Sequence, residues 1–228
     1  MNTVQRLVFV TGTDTGVGKT IFAASMVWHL RAKGVQALGI KPFCSGSRDD
    51  VKLLQQIQDG QLTNEEANPF CFPEAVAPLV SARKHHRKIT LADAVRRIRA
   101  VQRKCDVLVI EGSGGLLVPL GETFTVADLI TALNCEVIVV ARNRLGTINH
   151  TLLTVNAARK LRLESLKVVL MDCGDRDHST ATNLEILREL LAPVPVTGYP
   201  FLGRKAASSS TFRRRQRILQ KVLAEVLN

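Results

Sequence analysis

The chain has few aromatic residues and no long hydrophobic run. Phe, Trp and Tyr make up 4% of the 228 residues, although 46% of the residues are hydrophobic. The apolar residues are therefore mainly Val, Leu, Ile and Ala, as is typical of α/β proteins whose central sheet is covered on both faces. The N-terminal apolar patch at 7–10 is too short for a signal peptide, and no run reaches the ~18 residues of a membrane helix. We expect a cytoplasmic protein with no membrane partner.

Metal-ligand and disulfide patterns are also absent. The five cysteines are Cys44, Cys71, Cys105, Cys135 and Cys173. They are widely scattered, and none has the CxxC or CxxH spacing of a zinc site. We therefore expect reduced thiols in a reducing compartment.

Acidic residues are fewer than basic ones. The chain has 31 Lys and Arg against 20 Asp and Glu, which gives a net charge of +11. The densest basic block, at 204–221, belongs to a C-terminal segment at 204–228 that we interpret as a solvated loop and the polar face of a helix. No aromatic residues alternate with its arginines, so we expect no nucleic-acid partner.

Short apolar runs alternate with longer helical patterns along the whole chain. The runs predict strands at 7–11, 37–41, 107–111, 137–141, 168–171 and 194–197. The amphipathic stretches predict helices at 19–32, 49–58, 91–104, 127–133, 151–161, 181–191 and 212–227. This alternation predicts a single doubly wound α/β domain over residues 1–228, with a mainly parallel sheet. Binding sites in such sheets lie beyond the carboxyl ends of the strands.

The loop after the first predicted strand, TGTDTGVGKT, has the features of a phosphate-binding loop. Lys19 is placed to contact phosphates, and the Thr20 hydroxyl is placed to bind Mg²⁺. The strict pattern G-x-x-x-x-G-K-[ST] requires glycine at position 13, where the chain has Thr13, and Gly12 lies one residue too early. Because the GKT end is intact, we predict a P-loop NTPase-like fold. The predicted nucleotide contacts in this loop are Gly16, Val17, Gly18, Lys19, Thr20 and Ile21.

Two further strands end in charged residues. Lys41 follows the second strand, where it is either a surface charge or a group that stabilises a transferring phosphoryl group. Asp50 opens a helix, and helix capping and metal binding are equally compatible with it. Glu111 ends the third strand, a position suited to holding Mg²⁺. Thr20, Asp50 and Glu111 form an all-oxygen set for such a cation.

Five segments together resemble dethiobiotin synthetases. They are VTGTDTGVGKT, GIKPFCSG, NPFCFPEAVAPLVSA, VIEGSGGLLVPL and ARNRLGTINHTLLT, and they occur in the family's order over residues 7–203. The offset glycine is itself a mark of that family. The resemblance implies a reaction in which 7,8-diaminononanoate (7,8-diaminopelargonate) captures CO₂ as a carbamate, which attacks the γ-phosphate of ATP. The second amine then closes the ureido ring, giving dethiobiotin, ADP and phosphate.

The resemblance also implies roles for individual residues. Lys41 matches the catalytic lysine, while Thr15 and Ser45 match residues that contact the diamine and its carbamate. Gly146 and Asn149 match a segment that reaches the substrate's carboxylate from a neighbouring subunit, which implies a homodimer. The resemblance also implies that Thr20, Asp50 and Glu111 bind Mg²⁺. The remaining nucleotide contacts, beyond the loop and these acids, are Gly112, Ser113, Gly114, Met171, Asp172, Pro200, Phe201 and Leu202.

The sequence departs from the family at two positions. Gly16 stands where some members have Glu, which removes one polar group near the substrate amines. Met171 stands where the family often has an Asn that can pair with adenine. Because a Met side chain offers the base neither a donor nor a useful acceptor, we predict loose selectivity for ATP over other nucleoside triphosphates.

Three other functions are compatible with parts of the sequence. A partitioning ATPase shares the loop type, but it typically has a second lysine near the loop start, and residues 12–14 contain none. A corrinoid-amidating domain normally carries a glutamine-hydrolysing domain, for which we expect no room in 228 residues. Nucleic-acid binding through the basic C-terminal segment is the third.

Overall fold

A computed structural model describes residues 5–163, 165–175, 177–203 and 205–227. Its strands are β1 (Arg6–Gly12), β2 (Ala37–Ile40), β3 (Phe43–Ser45), β4 (Phe70–Phe72), β5 (Val107–Gly115), β6 (Pro119–Gly121), β7 (Phe124–Thr125), β8 (Glu136–Arg142), β9 (Leu166–Met171) and β10 (Val196–Tyr199). Its helices are α1 (Lys19–Ala32), α2 (Asp49–Ile57), α3 (Asn64–Ala67), α4 (Pro78–Lys84), α5 (Leu91–Gln102), α6 (Val126–Leu133), α7 (Thr147–Lys160), α8 (Asn183–Leu191), α9 (Ser209–Arg214) and α10 (Gln216–Leu227). A 3₁₀ helix spans His178–Ala181.

The central sheet has six strands in the order β10-β9-β8-β1-β5-β2, and all of its pairings are parallel. From β1, the chain adds β2 and β5 on one side and then β8, β9 and β10 on the other. The loops that follow β1 and β5 therefore emerge side by side at the carboxyl edge. This confirms the predicted doubly wound, P-loop NTPase-like fold.

Alternate residues of the central strands enter two separate cores. On β1, Leu7 and Phe9 join one core with residues of α5, α6 and α7, while Val8 and Val10 join the other with residues of α1 and α10. Each of these side chains is at most 6% exposed, and burying one contributes about 1.5–3 kcal/mol. The strands are apolar on both faces because helices cover both faces.

Several predicted element bounds differ from the structure; for example, β5 continues to Gly115, past the predicted strand end at 111. The last strand begins at Val196 rather than at 194, because Pro195 has no N–H to contribute to a ladder. Helix α7 begins at Thr147 rather than at 151, because Gly146, in a left-handed conformation, is its N-cap. The C-terminal helix predicted at 212–227 is two helices, and Ser208 caps the first of them.

Within the described residues, no helix combines the length and the hydropathy needed to cross a bilayer.

Candidate active site

The structure explains the offset glycine of the first loop. A Cβ atom on Gly12 would lie 2.8 Å from the carbonyl oxygen of Asp14 and 3.0 Å from Lys19 Nζ. Lys19 Nζ donates a hydrogen bond of 2.8 Å to that same carbonyl. The loop thus folds back across the end of β1, and the close approach requires glycine at position 12 rather than at position 13.

Two further glycines shape the mouth of the loop. Gly16 has φ 73° and Gly18 has φ 103°, both in the left-handed region that favours glycine. Gly18 is the N-cap of α1, and no side chain caps this helix. The first N–H groups of α1 are therefore available to an anion, as in phosphate-binding loops.

Thr20 and Lys41 converge on Glu111. Glu111 Oε1 accepts hydrogen bonds from Thr20 Oγ1 at 2.7 Å and from Lys41 Nζ at 2.8 Å. Lys41 also forms an ion pair with Asp50, in the first turn of α2. The Glu111 side chain is 1% exposed, and its second oxygen, Oε2, has no hydrogen-bond partner within the described parts of the chain. Residues from β5, from the loop after β2 and from the first turns of α1 and α2 therefore form one cluster at the carboxyl edge of the sheet.

Burial and mutual charge set the protonation of this cluster. Burial raises the pKa of Glu111, and the cation of Lys41 opposes that effect in part. Burial on its own would lower the pKa of Lys41, but the carboxylates of Glu111 and Asp50 outweigh it and raise the pKa overall. Burial lowers the pKa of Lys19 to about 8, although Glu111 opposes it. Lys41 is therefore held as a cation at neutral pH.

Two cavities adjoin at the carboxyl edge of the sheet. The first has a volume of about 450 Å³, and its lining includes Thr15, Gly16, Gly18, Lys19, Thr20, Ile21, Lys41, Asp50, Glu111 and Gly114. The second has a volume of about 550 Å³, and its lining includes Gly18, Ile21, Met171, Asp172, Pro200, Phe201 and Leu202. Both cavities are lined by Gly18, Ile21 and Ala207, so they form one continuous cleft. Of the sixteen residues predicted to contact the nucleotide, thirteen line this cleft, and Val17, Gly112 and Ser113 do not.

Met171 lies beneath the phosphate loop. Its side chain is buried, and its Cε would be 2.9 Å from a Cβ atom on Gly18. Met171 therefore packs against the start of α1, at the boundary between the two cavities. The second cavity has apolar walls here, while Asp172 and Asp175 supply carboxylates at its edge.

The residues predicted to contact the substrate fall into two groups. Thr15 lines the first cavity, and its Oγ1 lies 3.6 Å from the position of a Cβ atom on Gly114. Ser45 ends β3, and its buried hydroxyl has no hydrogen-bond partner in the part of the chain that the structure describes. Gly146 and Asn149 belong to the start of α7, and neither is among the residues that line the two cavities.

The glycine run at the end of β5 packs closely against β1. A Cβ atom on Gly112 would lie 2.8 Å from the ring of Phe9, so a side chain is excluded there. Ser113 Oγ donates a hydrogen bond of 2.6 Å to the carbonyl oxygen of Phe43. The Ser113 hydroxyl is thus hydrogen-bonded to β3. A ligand would therefore contact this glycine run through its backbone.

Several cavity residues were missed by the sequence analysis. Cys173, Gly174 and Asp175 follow β9 directly, so the strand-end rule could have identified them. Ala206 and Ala207 lie within the basic C-terminal segment, where no motif indicated a role. In the described part of the chain, no group of three or more His, Cys, Asp or Glu could hold a metal ion.

The fold and the site define a P-loop nucleotide-binding protein, in which a basic loop and an acidic strand end share one cleft. A family model described as an AAA domain matches residues 6–199. The chain is 38% identical over 196 residues to the ATP-dependent dethiobiotin synthetase BioD of Bacillus licheniformis, covering 83% of each chain. It is 39% identical over 225 residues to that of Anaeromyxobacter dehalogenans (strain 2CP-C), covering 96% of this chain and 98% of the relative. The chain belongs to the dethiobiotin synthetase family.

Solved structures with a similar fold include two other ATPase types. The septum site-determining protein MinD of Pyrococcus horikoshii, complexed with Mg-ADP, has a TM-score of 0.62 at 14% identity, covering 97% of this chain and 94% of that one. A ParA family ATPase from Chlorobium tepidum has a TM-score of 0.60 at 13% identity, covering 98% of both chains. At such low identity the similarity is one of fold alone. The partitioning-ATPase alternative therefore rests on the fold, whereas sequence similarity supports the dethiobiotin synthetase family.

Proposed function

We propose that this chain is an ATP-dependent dethiobiotin synthetase. It carboxylates 7,8-diaminononanoate with CO₂ and closes the ureido ring, producing dethiobiotin, ADP and phosphate. The observation that carries the proposal is the convergence of Lys19, Lys41, Thr20 and Glu111 around one cavity beyond the phosphate loop. Both reactants, the carbamate and the triphosphate, are anions, and this cavity supplies the cations that bring them together.

The nucleotide occupies the continuous cleft. Its phosphates lie on the N–H groups from Gly16 to Ile21, where α1 begins, and Lys19 exchanges its bond to the Asp14 carbonyl for phosphate oxygens. The base lies in the second cavity, between Met171 and the segment at 200–202. Gly112, Ser113 and Gly114 face the phosphates with their backbone.

Mg²⁺ fits the oxygen set of Thr20, Asp50 and Glu111. The buried Glu111 Oε2 has no hydrogen-bond partner among the described residues, so it is free to bind a cation. Thr20, Asp50 and Glu111 would hold the cation through one hydroxyl and two carboxylates, oxygen ligands of the kind that Mg²⁺ prefers. When bound, Mg²⁺ supplies charge neutralisation on the triphosphate.

Lys41 stabilises the transferred phosphoryl group. Its ammonium is buried and held by Glu111 and Asp50, so it is positioned before the substrates arrive. Lys41 lines the first cavity, where its ammonium would contact the oxygens of the γ-phosphate on which charge grows as the carbamate oxygen attacks. Thr15 and the unpartnered hydroxyl of Ser45 orient the diamine and its carbamate.

Two copies of the chain form the working unit. Gly146 and Asn149, the residues proposed for the substrate's carboxylate, do not line the cleft of their own chain. Leu145 is 80% exposed and Leu153 is 62% exposed. The spacing of Leu145, Asn149 and Leu153 places them on one face of α7 and its entry. Packing of this face against a second copy would cover the two leucines and bring Asn149 to the partner's site.

The reaction itself provides the test. Purified protein with ¹⁴C-bicarbonate, 7,8-diaminononanoate, Mg²⁺ and ATP should form acid-stable labelled product, and omission of the diamine should abolish it. ATP hydrolysis that ignores the diamine and responds to DNA would instead favour a partitioning ATPase.

A further inference from the structure

Cys44 and Cys71 are neighbours in space, although they are far apart in sequence. Strands β3 and β4 form a separate two-stranded parallel pair, in which Cys44 is the register partner of Cys71. The preceding register partners, Phe43 and Phe70, stack with ring centroids 4.6 Å apart and 19° between their planes. Partner side chains in this pair therefore leave the strands side by side on the same face.

The spacing of the two strands suits a disulfide. Paired strands lie about 4.7–4.9 Å apart, and disulfides bridge Cα atoms about 4.4–6.8 Å apart. Successive side chains alternate between faces, so both thiols lie on the face opposite to the Phe43 and Phe70 rings. A bond between Cys44 and Cys71 can therefore form with little movement of the backbone.

The two thiols differ in their surroundings. Cys44 is 2% exposed, and its Sγ donates to the carbonyl oxygen of Ser47 at 3.1 Å, whereas Cys71 is partly exposed. Burial raises the pKa of Cys44, and the cation of Lys41 opposes this in part. An oxidant from solution therefore reaches Cys71 first, and Cys44 is the thiol in position to react with the product.

The other three cysteines have different surroundings. All five cysteines are in the described part of the chain, and none forms a disulfide. Cys105 follows α5, Cys135 precedes β8 and Cys173 follows β9. None of these three belongs to the β3–β4 pair. Of the ten possible pairings of five cysteines, oxidation should therefore select Cys44–Cys71.

We propose that Cys44 and Cys71 form a reversible disulfide when the protein meets a hydroperoxide, and that this bond slows turnover. The peroxide oxygen transfers to Cys71, giving a sulfenic acid and one water or alcohol. The sulfur of Cys44 then attacks the sulfenic sulfur; the S–S bond forms, and the sulfenic hydroxyl leaves with the Cys44 proton as water. Two electrons pass to the peroxide, and a low-molecular-weight thiol returns them.

The loss of turnover follows from the contacts that Cys44 and β3 make next to the site. Formation of the bond takes Cys44 Sγ away from the carbonyl of Ser47, whose hydroxyl accepts a hydrogen bond of 3.1 Å from the N–H of Asp49. Asp49 begins α2, the helix that carries Asp50. The bond also fixes β3, which ends in Ser45. The loss of turnover rests on the proposed function, whereas formation of the disulfide does not.

The test combines peptide mass spectrometry with an activity assay. Wild-type protein is treated with hydrogen peroxide, its free thiols are blocked, and the cross-linked peptides are identified. We expect one disulfide, Cys44–Cys71, together with a fall in turnover of at least fivefold that dithiothreitol reverses. Cys71→Ser should retain activity before and after peroxide, whereas Cys135→Ser, a matched control at another partly exposed thiol, should behave like the wild type.

Two results would overturn the inference. One is the absence of a Cys44–Cys71 peptide from oxidised protein. The other is equal inactivation of the wild type and Cys71→Ser, since the damage would then lie elsewhere. A protein that forms the bond but has no ring-closing activity before oxidation contradicts the proposed function, and that outcome leaves the disulfide established.

Discussion

Thr20 and Glu111, which are 91 positions apart, are joined by a hydrogen bond of 2.7 Å from the Thr20 hydroxyl to Glu111 Oε1. Thr20 is the second residue of α1, and Glu111 lies on β5, the strand next to β1. This contact connects the phosphate-binding end of the cleft to its acidic end. Substitutions at either end of the cleft can therefore test how the phosphate loop and the acidic residues act together.

Removal of the Lys41 ammonium should reduce kcat. Lys41→Ala removes the buried cation that we propose faces the transferred phosphoryl group, and the loss of one such charge partner costs about 10²–10³-fold in turnover. Steady-state kinetics would measure it, with circular dichroism to confirm folding. Lys52→Ala removes an exposed lysine on α2 whose ion pair is with Asp49, so its turnover should be unchanged. Near-normal turnover of Lys41→Ala would show that its role is misassigned.

Neutralisation of Glu111 should weaken Mg²⁺ binding. Glu111→Gln keeps the shape of the side chain but removes the buried charge proposed to bind the cation. The Mg²⁺ concentration needed for half-maximal nucleotide binding, measured by titration calorimetry, should rise by at least about tenfold, or about 1.4 kcal/mol. Glu122→Gln, at an exposed acid paired with Arg83, provides the control. An unchanged Mg²⁺ requirement would exclude Glu111 as a ligand.

A methyl group on Gly12 should disturb the phosphate loop. The Cβ of Gly12→Ala would lie within 3.0 Å of the Asp14 carbonyl, the Val17 side chain and Lys19 Nζ. Overpacking of this kind costs about 1–3 kcal/mol, which corresponds to roughly 5- to 150-fold in affinity for ATP. Thr13→Gly, which restores the strict loop pattern one residue later, should bind ATP normally. Equal affinity of Gly12→Ala and the wild type would contradict the close approach at position 12.

Base selectivity should depend on position 171. Because the Met171 thioether offers the base no specific hydrogen bond, kcat/KM with CTP or GTP should lie within about tenfold of the value with ATP. Met171→Asn should increase the preference for ATP by supplying both a donor and an acceptor. A hundredfold ATP preference in the wild type would show that other groups in the cleft select the base.

An acidic residue on the exposed face of α7 should separate the subunits. Leu153→Asp places a charge where we propose that two copies meet, so analytical ultracentrifugation should detect monomers, and the KM for the diamine should rise. Leu190→Asp changes a leucine on α8 that is 53% exposed, and it should leave both quantities unchanged. A wild-type protein that is monomeric and fully active would rule out the proposed role of Asn149.

Much of this fold could be predicted because most of its helices and strands are long enough to show a periodic pattern of hydrophobic residues. Six apolar runs and the alternating helical patterns identified the whole central sheet. Strands of two or three residues, such as Phe43–Ser45 and Phe124–Thr125, show no period and were missed. The adjacency of Cys44 and Cys71 depends on the register of two such strands, so the sequence could not predict it.

The site was predictable to the extent that strand ends bring residues together. Lys41 directly follows β2, Glu111 lies on the neighbouring parallel strand β5, and their convergence follows from that topology. The contribution of Ala207 could not be predicted, because it comes from an irregular segment without a motif. Nor could the sequence show that the Ser113 hydroxyl is engaged with β3.

The path of one oxygen atom tests the account most directly. If the carbamate oxygen attacks the γ-phosphate in the cleft around Lys41, CO₂ freshly labelled with ¹⁸O should transfer one labelled oxygen to each phosphate released, as mass spectrometry of that phosphate would show. Phosphate that takes its new oxygen only from the water of the solvent would mean that ATP is simply hydrolysed, and it would contradict the proposed reaction.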